Sequence, residues 1–429
     1  VYIGVGNGTP WNRDLRSPDG GDNLFLASIV ALDAETGTYV WHYQTTPGET
    51  WDFTATQHIM LANLELNGKN RQVLMQAPKN GFFYVLDRRT GELLSADPFV
   101  EVNWASHVDM RTGRPVEVEG ARYGDAAFTA MPAAPGAHNW QPMAFNPQHG
   151  LVYIPAQDSA WTYQGSDRIE YARLKYSTGI DAAAASLPED PAIQKEIHDA
   201  VRGYLIAWDP AARGPRWTVE HPVPWNGGVL ATAGDLVFQG TADGRFSAFA
   251  AATGETLWSA DVQTAALAGP ISYSVGGEQY IAVMTGWGTA FAIEAGLVAR
   301  WAGVPPLNRI LAFRLDGTDT LPPPPTVPAA PKPPPATANA ATVERGKGLY
   351  HEWCTRCHGD AGVSGGVIPD LRQLSPETHA DWDAIVLGGA RYPRGMPAFG
   401  EHLSADESAA IHAYVIKRAH DPVYLPAED

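Results

Sequence analysis

Short apolar or alternating runs fill the first 320 residues, among them FLASIVALD, QVLMQAP, GFFYVLD, GLVYIPA, GYLIAWD, DLVFQGT, RFSAFAA and QYIAVMT. They are bounded by Gly, Asp, Asn and Pro. A period of two, with β-branched and aromatic residues, predicts strands, and the closing residues predict tight turns. A weak repeat is superimposed. ALDAETGTYVWHY begins at Ala31, VLDRRTGELLSAD at Val85, AWDPAARGPRWTV at Ala207 and AFAAATGETLWSA at Ala248. Each reads strand, Asp- or Gly-bearing turn, strand, and three carry a Trp after the turn. The last two begin 41 residues apart, within the period of a propeller blade, and the wider spacing of the others requires long insertions. Recurrent Trp suits a ring of similar sheets packed through large flat side chains, so a propeller is the first reading and a sandwich the alternative. The most apolar stretch, Tyr280 to Val304, is broken by glycines and by Glu294, so it is read as sheet core rather than a membrane span.

The pattern changes at Leu321. LPPPPTVPAAPKPPPATANAAT, residues 321–342, is expected to join neither sheet nor helix, because proline lacks the N–H and fixes φ. Extended as polyproline, Pro322 to Pro335 reaches about 40 Å at roughly 3.1 Å per residue. Beyond it the period becomes helical. Val343 to Trp353 leads into two cysteines; Ser404 and Glu407 form a capping box, and Ile411, Tyr414 and Val415 share one face of the helix it opens. The expected organisation is an all-β domain over 1–320, a tether over 321–342 and a small all-α domain over 343–429.

Composition narrows the function classes. A formal net charge of −17 excludes the basic footprint that nucleic-acid binding needs. The apolar share of 45% is that of a globular chain, and no stretch reads as a membrane span. Val1 lies inside a strand-like run with no initiator Met and no signal segment, so processing or truncation is expected to have removed the natural start.

The two cysteines stand together in Cys354-Thr355-Arg356-Cys357-His358, a C-x-x-C-H sequence. Two thiols at this spacing can each bond a vinyl group of haem, and the adjacent His358 then lies under the iron. Met396, in RGMPAFG, is the candidate second axial ligand, since a thioether raises the reduction potential; its alternative is core packing. For the cysteine pair the alternatives are a redox disulfide or half a zinc site, and no second Cys pair exists to complete zinc. The helix before the motif and the Gly-Met-Pro context resemble class I cytochromes c. Covalent haem attachment takes place outside the bacterial cytoplasm, which implies a periplasmic protein.

Several further segments carry a family resemblance: VGNGTPWN from Val5, GGDNLFLASIVALD from Gly20, WHYQTTPGETWDF from Trp41, APKNGFFYVLD from Ala77, HNWQPM from His138 and WNGG from Trp225. Together with the tethered haem motif they resemble the quinohaemoprotein alcohol dehydrogenases over essentially the whole chain. The resemblance implies part of an eight-bladed propeller carrying PQQ and a metal ion on its axis, followed by a class I cytochrome c. It implies that Asn7 ligates the metal and that Asp52 touches the metal and acts as general base toward the alcohol hydroxyl. It gives Lys79 a hydrogen bond to the quinone oxygens, makes Asn139, Trp140 and Trp225 further PQQ contacts, and makes Cys354, Cys357, His358 and Met396 the haem c ligands. The methanol dehydrogenases also resemble the chain but carry Arg where Lys79 stands. Without the resemblance Asp22 and Asp52 compete for the acidic role. The spacing of Asn7 and Asp52, 45 residues, suggests similar places on neighbouring blades. Lanthanide-using relatives place a second Asp two residues after the catalytic one; here Thr54 stands there, which favours calcium.

The implied function is periplasmic oxidation of a primary alcohol by hydride transfer to PQQ, with electrons leaving through haem c to an external acceptor such as a copper protein or cytochrome. A dehydrogenase subunit of a membrane-associated complex has the same layout, and a non-catalytic haem carrier with a propeller docking module is the alternative of another class. The family's N-terminal blades are missing, and with them the metal-ligating Glu, an adjacent-cysteine disulfide, and an Arg and a Thr that contact the cofactor. The chain alone is therefore expected to leave two open sheet edges, not to close a propeller, and not to bind PQQ tightly.

Overall fold

The computed structural model of the chain describes residues 1–166, 169, 171–175, 177–326 and 329–426. The first strands, β1 (Tyr2–Gly4), β2 (Ser28–Leu32) and β3 (Tyr39–Gln44), form one antiparallel sheet. A short helix, α1 (Arg13–Arg16), lies in the β1–β2 connection. A second sheet takes β4 (Met60–Leu66), β5 (Lys69–Gln76), β6 (Phe82–Asp87) and β7 (Leu93–Pro98) in that order. Between it and the next large sheet lie β8 (Ala105–Asp109), β9 (Arg114–Glu117) and β10 (Phe128–Ala130). The third sheet has the order β11 (Ala144–Asn146), β12 (Leu151–Asp158), β14 (Arg202–Asp209), β15 (Gly214–His221). Its β12–β14 excursion carries β13 (Trp161–Tyr163), which pairs with β10, and α2 (Pro191–Ala200). The fourth sheet is β16 (Val229–Ala231), β17 (Leu236–Gly240), β18 (Arg245–Ala250) and β19 (Thr256–Asp261). The fifth is β20 (Ile271–Val275), β21 (Glu278–Thr285) and β22 (Arg309–Arg314).

Buried apolar residues join these sheets in chain order. Ile29 and Trp41 share a core with Leu74 and Phe82; Val73 and Phe83 with Ile154 and Ile206; Leu151 and Leu205 with Val237 and Phe249; Phe238 and Phe246 with Ile281 and Val283. Each sheet thus packs on its neighbours in sequence. That is an arc of propeller blades, and it rules out a two-sheet sandwich. The repeat seen in the sequence is the β2–β3, β6–β7, β14–β15 and β18–β19 hairpins. All four carry a bulge at the same place, at Ala31/Leu32, Val85/Leu86, Ala207/Trp208 and Ala248/Phe249. The recurrent Trp is the inter-blade clasp. The Trp41 indole donates to Arg88 O at 3.2 Å in the next hairpin and covers Gly91, and Trp217 donates to Ala251 O at 3.0 Å and covers Gly254. A Cβ on either glycine would lie 2.8 or 2.6 Å from the ring. Where the second blade has Ser95 in place of Trp, Asp97 and Arg213 make a forked ion pair to the third. At the two end sheets Ile3, Ile271, Val275, Met284 and Ile310 are exposed.

Two corrections follow. Tyr280 to Val304 is not sheet throughout: β21 ends at Thr285, and α3 (Ala290–Glu294) and α4 (Gly296–Arg300) follow. The segment after Gly288 is rich in Ala, the best helix former, and turns Phe291, Ala292, Leu297 and Ala299 inward. The last three residues of the proline-rich run carry no proline, and they open the next helix, α5 (Ala340–Trp353), behind an Asn339 cap.

α6 (Thr355–His358), α7 (Pro376–Ala380), α8 (Trp382–Val386) and α9 (Ala405–His420) complete the C-terminal domain. The capping box of Ser404 and Glu407 is formed, and Ile411, Tyr414 and Val415 are buried against Tyr350, Trp382 and Phe399. The domain is seated on the propeller. Glu189 accepts from Tyr414 Oη at 2.8 Å and lies 3.3 Å from both Lys347 and Arg418. Trp301 Nε1 donates to Tyr424 O at 3.1 Å. Among the described residues no helix is long and apolar enough to cross a membrane.

Candidate active site

Antiparallel meanders bring the β1–β2, β3–β4 and β5–β6 connections out at one end of the arc. A buried glutamine at the end of the second strand of three blades fixes the adjoining loops. Gln76 Nε2 donates to Ala55 O (2.7 Å) and Gln57 O (2.8 Å), Gln157 Nε2 to Gly136 O (2.8 Å) and Gln239 Nε2 to Gly227 O (3.0 Å). Buried amide donors paired with backbone carbonyls are costly to break, so these bonds pin the loops between blades.

Asp52 sits in the first of these loops with φ +66°, a conformation that Asp tolerates better than most residues but that its surroundings must hold. Every neighbouring residue is held. Tyr123 Oη donates to Thr50 O at 2.6 Å, Tyr163 Oη to Trp51 O at 2.8 Å, and Trp51 Nε1 to Ala121 O at 2.9 Å. Phe53 N donates to the buried Glu49 carboxylate at 2.7 Å. Lys79 Nζ completes the clamp, 2.8 Å from the Asp52 carboxylate and 3.0 Å from its carbonyl oxygen. Burial pushes the Asp52 carboxyl up against the pull of Lys79 and, more weakly, Arg356. Glu49, wholly buried and close to the Asp52 charge, is pushed up to about 8, and its Oε2 has no hydrogen-bond partner.

The other expected residues connect to this pair unevenly. Asn7 is half-buried, and the segment just before it runs beside the Asp52 loop: Ala55 N donates to Val5 O at 3.1 Å. The spacing argument for Asn7 needs correction. Asn7 lies in the β1–β2 connection, whose counterpart in the next blade is the β5–β6 connection carrying Lys79, whereas Asp52 lies between blades. The 45-residue interval is therefore not a blade period. Asn139 ends a loop packed on Lys79, where Ala137 N donates to Lys79 O at 3.0 Å and Asn139 Nδ2 to Pro135 O at 2.7 Å. Trp225 N donates to Gln157 Oε1 at 2.9 Å, so one side chain ties it to the same loop. The Trp225 indole stacks on Phe291 (4.6 Å, 9°), and its Nε1 is buried without a partner, a donor that an acceptor-rich ligand such as PQQ can satisfy. Trp140 stands apart, 45% exposed beside a separate cavity of about 580 Å³ with Met284 and Ile310. Asp22 is on the surface, forked onto Arg114 at 2.7 Å. Among the described residues no three His, Cys, Asp or Glu side chains gather around a metal position; a metal here would draw on Asn7 and Asp52.

In the C-terminal domain Cys354 and Cys357 are unpaired, and His358 N donates to Cys354 O at 3.0 Å, which puts thiols and imidazole on one turn. His358 Nδ1 lies 3.0 Å from Pro369 O; with the proton there it donates and leaves Nε2 for iron. Cys354 and Met396 border the same apolar cluster as Tyr350 and Phe399, a setting suited to a large flat apolar group.

Sequence reasoning missed the groups between the two domains. A cavity of about 650 Å³ there is lined by Trp11, Trp161 and Ile180 on one side and by Glu294, Thr355 and Arg356 on another. Glu294 and Arg356 pair at 2.8 Å. Their signals were present: Glu294 is the one carboxylate in the most apolar run, Arg356 stands between the haem-type cysteines, and Trp11 lies in a segment already singled out.

An arc of Trp-clasped blades with a buried Asp–Lys pair at its loop end, docked to a C-x-x-C-H helical domain, defines a haem-bearing quinoprotein. Family models agree. Residues 1–102 and 207–281 match the β-propeller domain of glucose/ethanol/alcohol dehydrogenases, and residues 341–415 match cytochrome c oxidase, cbb3-type, subunit III. Over nearly its whole length the chain is similar to the quinohaemoprotein alcohol dehydrogenases. It is 48% identical to quinohemoprotein alcohol dehydrogenase ADH-IIG of Pseudomonas putida over 98% of this chain and 59% of that protein. It is 47% identical to ADH IIB of the same species over 98% and 60%. The solved ADHIIG structure superposes with a TM-score of 0.94 at 48% identity, covering 98% of this chain and 62% of that one. The Comamonas testosteroni quinohemoprotein alcohol dehydrogenase gives 0.83 at 41%, covering 97% and 61%. The chain spans about 60% of the length of these relatives.

Proposed function

We propose that the complete protein oxidises primary alcohols to aldehydes in the periplasm and passes the electrons to an external acceptor, a copper protein or cytochrome. The observation that carries this is the clamped Asp52–Lys79 pair at the loop end of a quinoprotein propeller. A carboxylate held in an unusual backbone conformation by buried donors and one lysine is built for chemistry. Asp52 receives the proton of the alcohol hydroxyl. Lys79 keeps the carboxylate oriented and presents a positive charge where negative charge develops on the oxidant. Trp225, stacked on Phe291, supplies a flat wall, and Asn139 supplies an amide beside Lys79.

Lys79, Asn139 and Trp225 would hold PQQ, which would supply the hydride-accepting quinone; Trp140, beside the separate cavity, stands outside this set. Calcium, held by Asn7 and Asp52, supplies a Lewis acid at the same place. Cys354, Cys357, His358 and Met396 would hold haem c, which would supply a one-electron exit. The division of labour places quinone chemistry in residues 1–320 and electron exit in 343–429, with the 321–342 tether joining them.

A propeller used only for docking has no need of the Asp52–Lys79 clamp. The test is dye-coupled alcohol oxidation by the full-length protein supplied with PQQ and calcium. Asp52→Ala is expected to abolish turnover with the haem spectrum unchanged; turnover near the unsubstituted rate would overturn the assignment.

A further inference from the structure

Arg356 lies within the C-x-x-C-H segment, and its guanidinium pairs with Glu294 at the end of α3, 2.8 Å away. The two segments meet at backbone contact. A Cβ on Gly296 would lie 2.1 Å from Val363 O, and one on Gly365 would lie 2.4 Å from Ala292 O. Glycine at both positions lets the haem segment approach closely enough for the arginine to reach across. On the propeller side Lys79 and Asp52 form the second pair, 2.8 Å apart. The pairs act on one another: the Arg356 charge is felt at Asp52, and the charges of Asp52 and Lys79 are felt at Glu294. Two ion pairs, Asp52–Lys79 at the proposed quinone site and Glu294–Arg356 at the haem segment, therefore influence one another, and the second lines the interdomain cavity.

We propose that Arg356 is a positioning residue that couples the two redox sites: fixed by Glu294, its charge makes the haem a better electron acceptor and holds the Cys354–His358 turn against the propeller. The inference rests on the reading of the chain as a PQQ- and haem-bearing dehydrogenase. Its physical basis is simple. Reducing ferric to ferrous iron adds one negative charge, which a nearby guanidinium stabilises and a nearby carboxylate opposes, and a partly enclosed setting screens both less than bulk water does. Lysine keeps the charge but not the planar fork.

The experiment uses full-length holoenzyme carrying Arg356→Gln, Arg356→Lys or Glu294→Gln. The haem midpoint potential is read by dye-mediated spectroelectrochemical titration, and covalent haem is counted by its haemochrome spectrum. Arg356→Gln is expected to weaken electron uptake about tenfold, a fall of about 59 mV for one electron. Glu294→Gln is expected to shift the potential upward, and Arg356→Lys to stay nearer the unsubstituted value than Arg356→Gln. Unmoved potentials in both neutral variants, or shifts of the same sign, overturn the proposal. Glu294 lies outside the haem motif, so its variant still decides the matter if Arg356→Gln fails to load haem. Absence of covalent haem in the unsubstituted protein overturns the reading beneath the proposal, and the haemochrome tells the two failures apart.

Discussion

Lys79 bonds Asp52 twice, its Nζ 2.8 Å from the carboxylate and 3.0 Å from the carbonyl oxygen of the same residue. The second bond matters because Asp52 has a positive φ: the lysine holds the backbone as well as the side chain. Both side chains are largely buried. Removing one partner leaves the other charge in a poor solvent, at a cost of about 3–5 kcal/mol for a well-buried pair. Lys79→Met is expected to lower the stability of the propeller by about that amount in urea unfolding, and Asp52→Asn by less, since an amide can still accept from Lys79.

The Trp clasp gives a prediction independent of any cofactor. Trp41 is buried on Gly91, and its indole N–H is satisfied by Arg88. Trp41→Ala opens the joint between the first two blades and is expected to cost about 3–5 kcal/mol. Gly91→Ala drives a methyl into the ring at a position where φ is +76°, and about 1–3 kcal/mol is expected. Urea midpoints at constant m-value measure both.

Glu49 makes stability depend on pH. Its carboxyl titrates near 8 in the fold, against an ordinary value of 4.5. Between those values the native chain keeps a proton that the unfolded chain has released. Stability is therefore fully present below about pH 4.5, declines as pH rises toward about 8, and is level above it, with a slope of at most about 1.4 kcal/mol per pH unit. Glu49→Gln is expected to remove this decline. Thermal unfolding of the metal-free chain at several pH values tests it; equal slopes in the two proteins would contradict it.

Met396, like Cys354, packs against the apolar cluster of the C-terminal domain. If it is the second axial ligand, Met396→His keeps covalent haem, because both cysteines remain, and lowers the midpoint potential by replacing a thioether with an imidazole. An unchanged potential would return Met396 to core packing.

The blades were legible because β-hairpins are local: the repeat at Ala31, Val85, Ala207 and Ala248 contains strand, turn and strand within about a dozen residues, with a Trp after the turn in three of the four. The capping box was legible for the same reason. What misled was the use of chain distance for spatial distance. Asn7 and Asp52 are separated by 45 residues yet occupy different kinds of connection, and the apolar run after Tyr280 turns from strand to helix at glycines that an average hydrophobicity ignores. Least legible was the charge cluster. Glu294 and Arg356 are 62 residues apart on either side of a proline-rich tether, and only the docking of one domain on the other brings them together.

The most direct test of the account is alcohol-driven haem reduction in a single turnover. Full-length protein loaded with PQQ and calcium, with its haem oxidised and no external acceptor, is mixed anaerobically with a primary alcohol while the haem α-band is followed. The haem is expected to become reduced in the unsubstituted protein. In Asp52→Ala it should stay oxidised after alcohol yet reduce fully with dithionite. Equal reduction by alcohol in both proteins, or none in the fully loaded unsubstituted protein, would contradict the claim that the Asp52 site oxidises the alcohol and the C-terminal haem carries the electrons out.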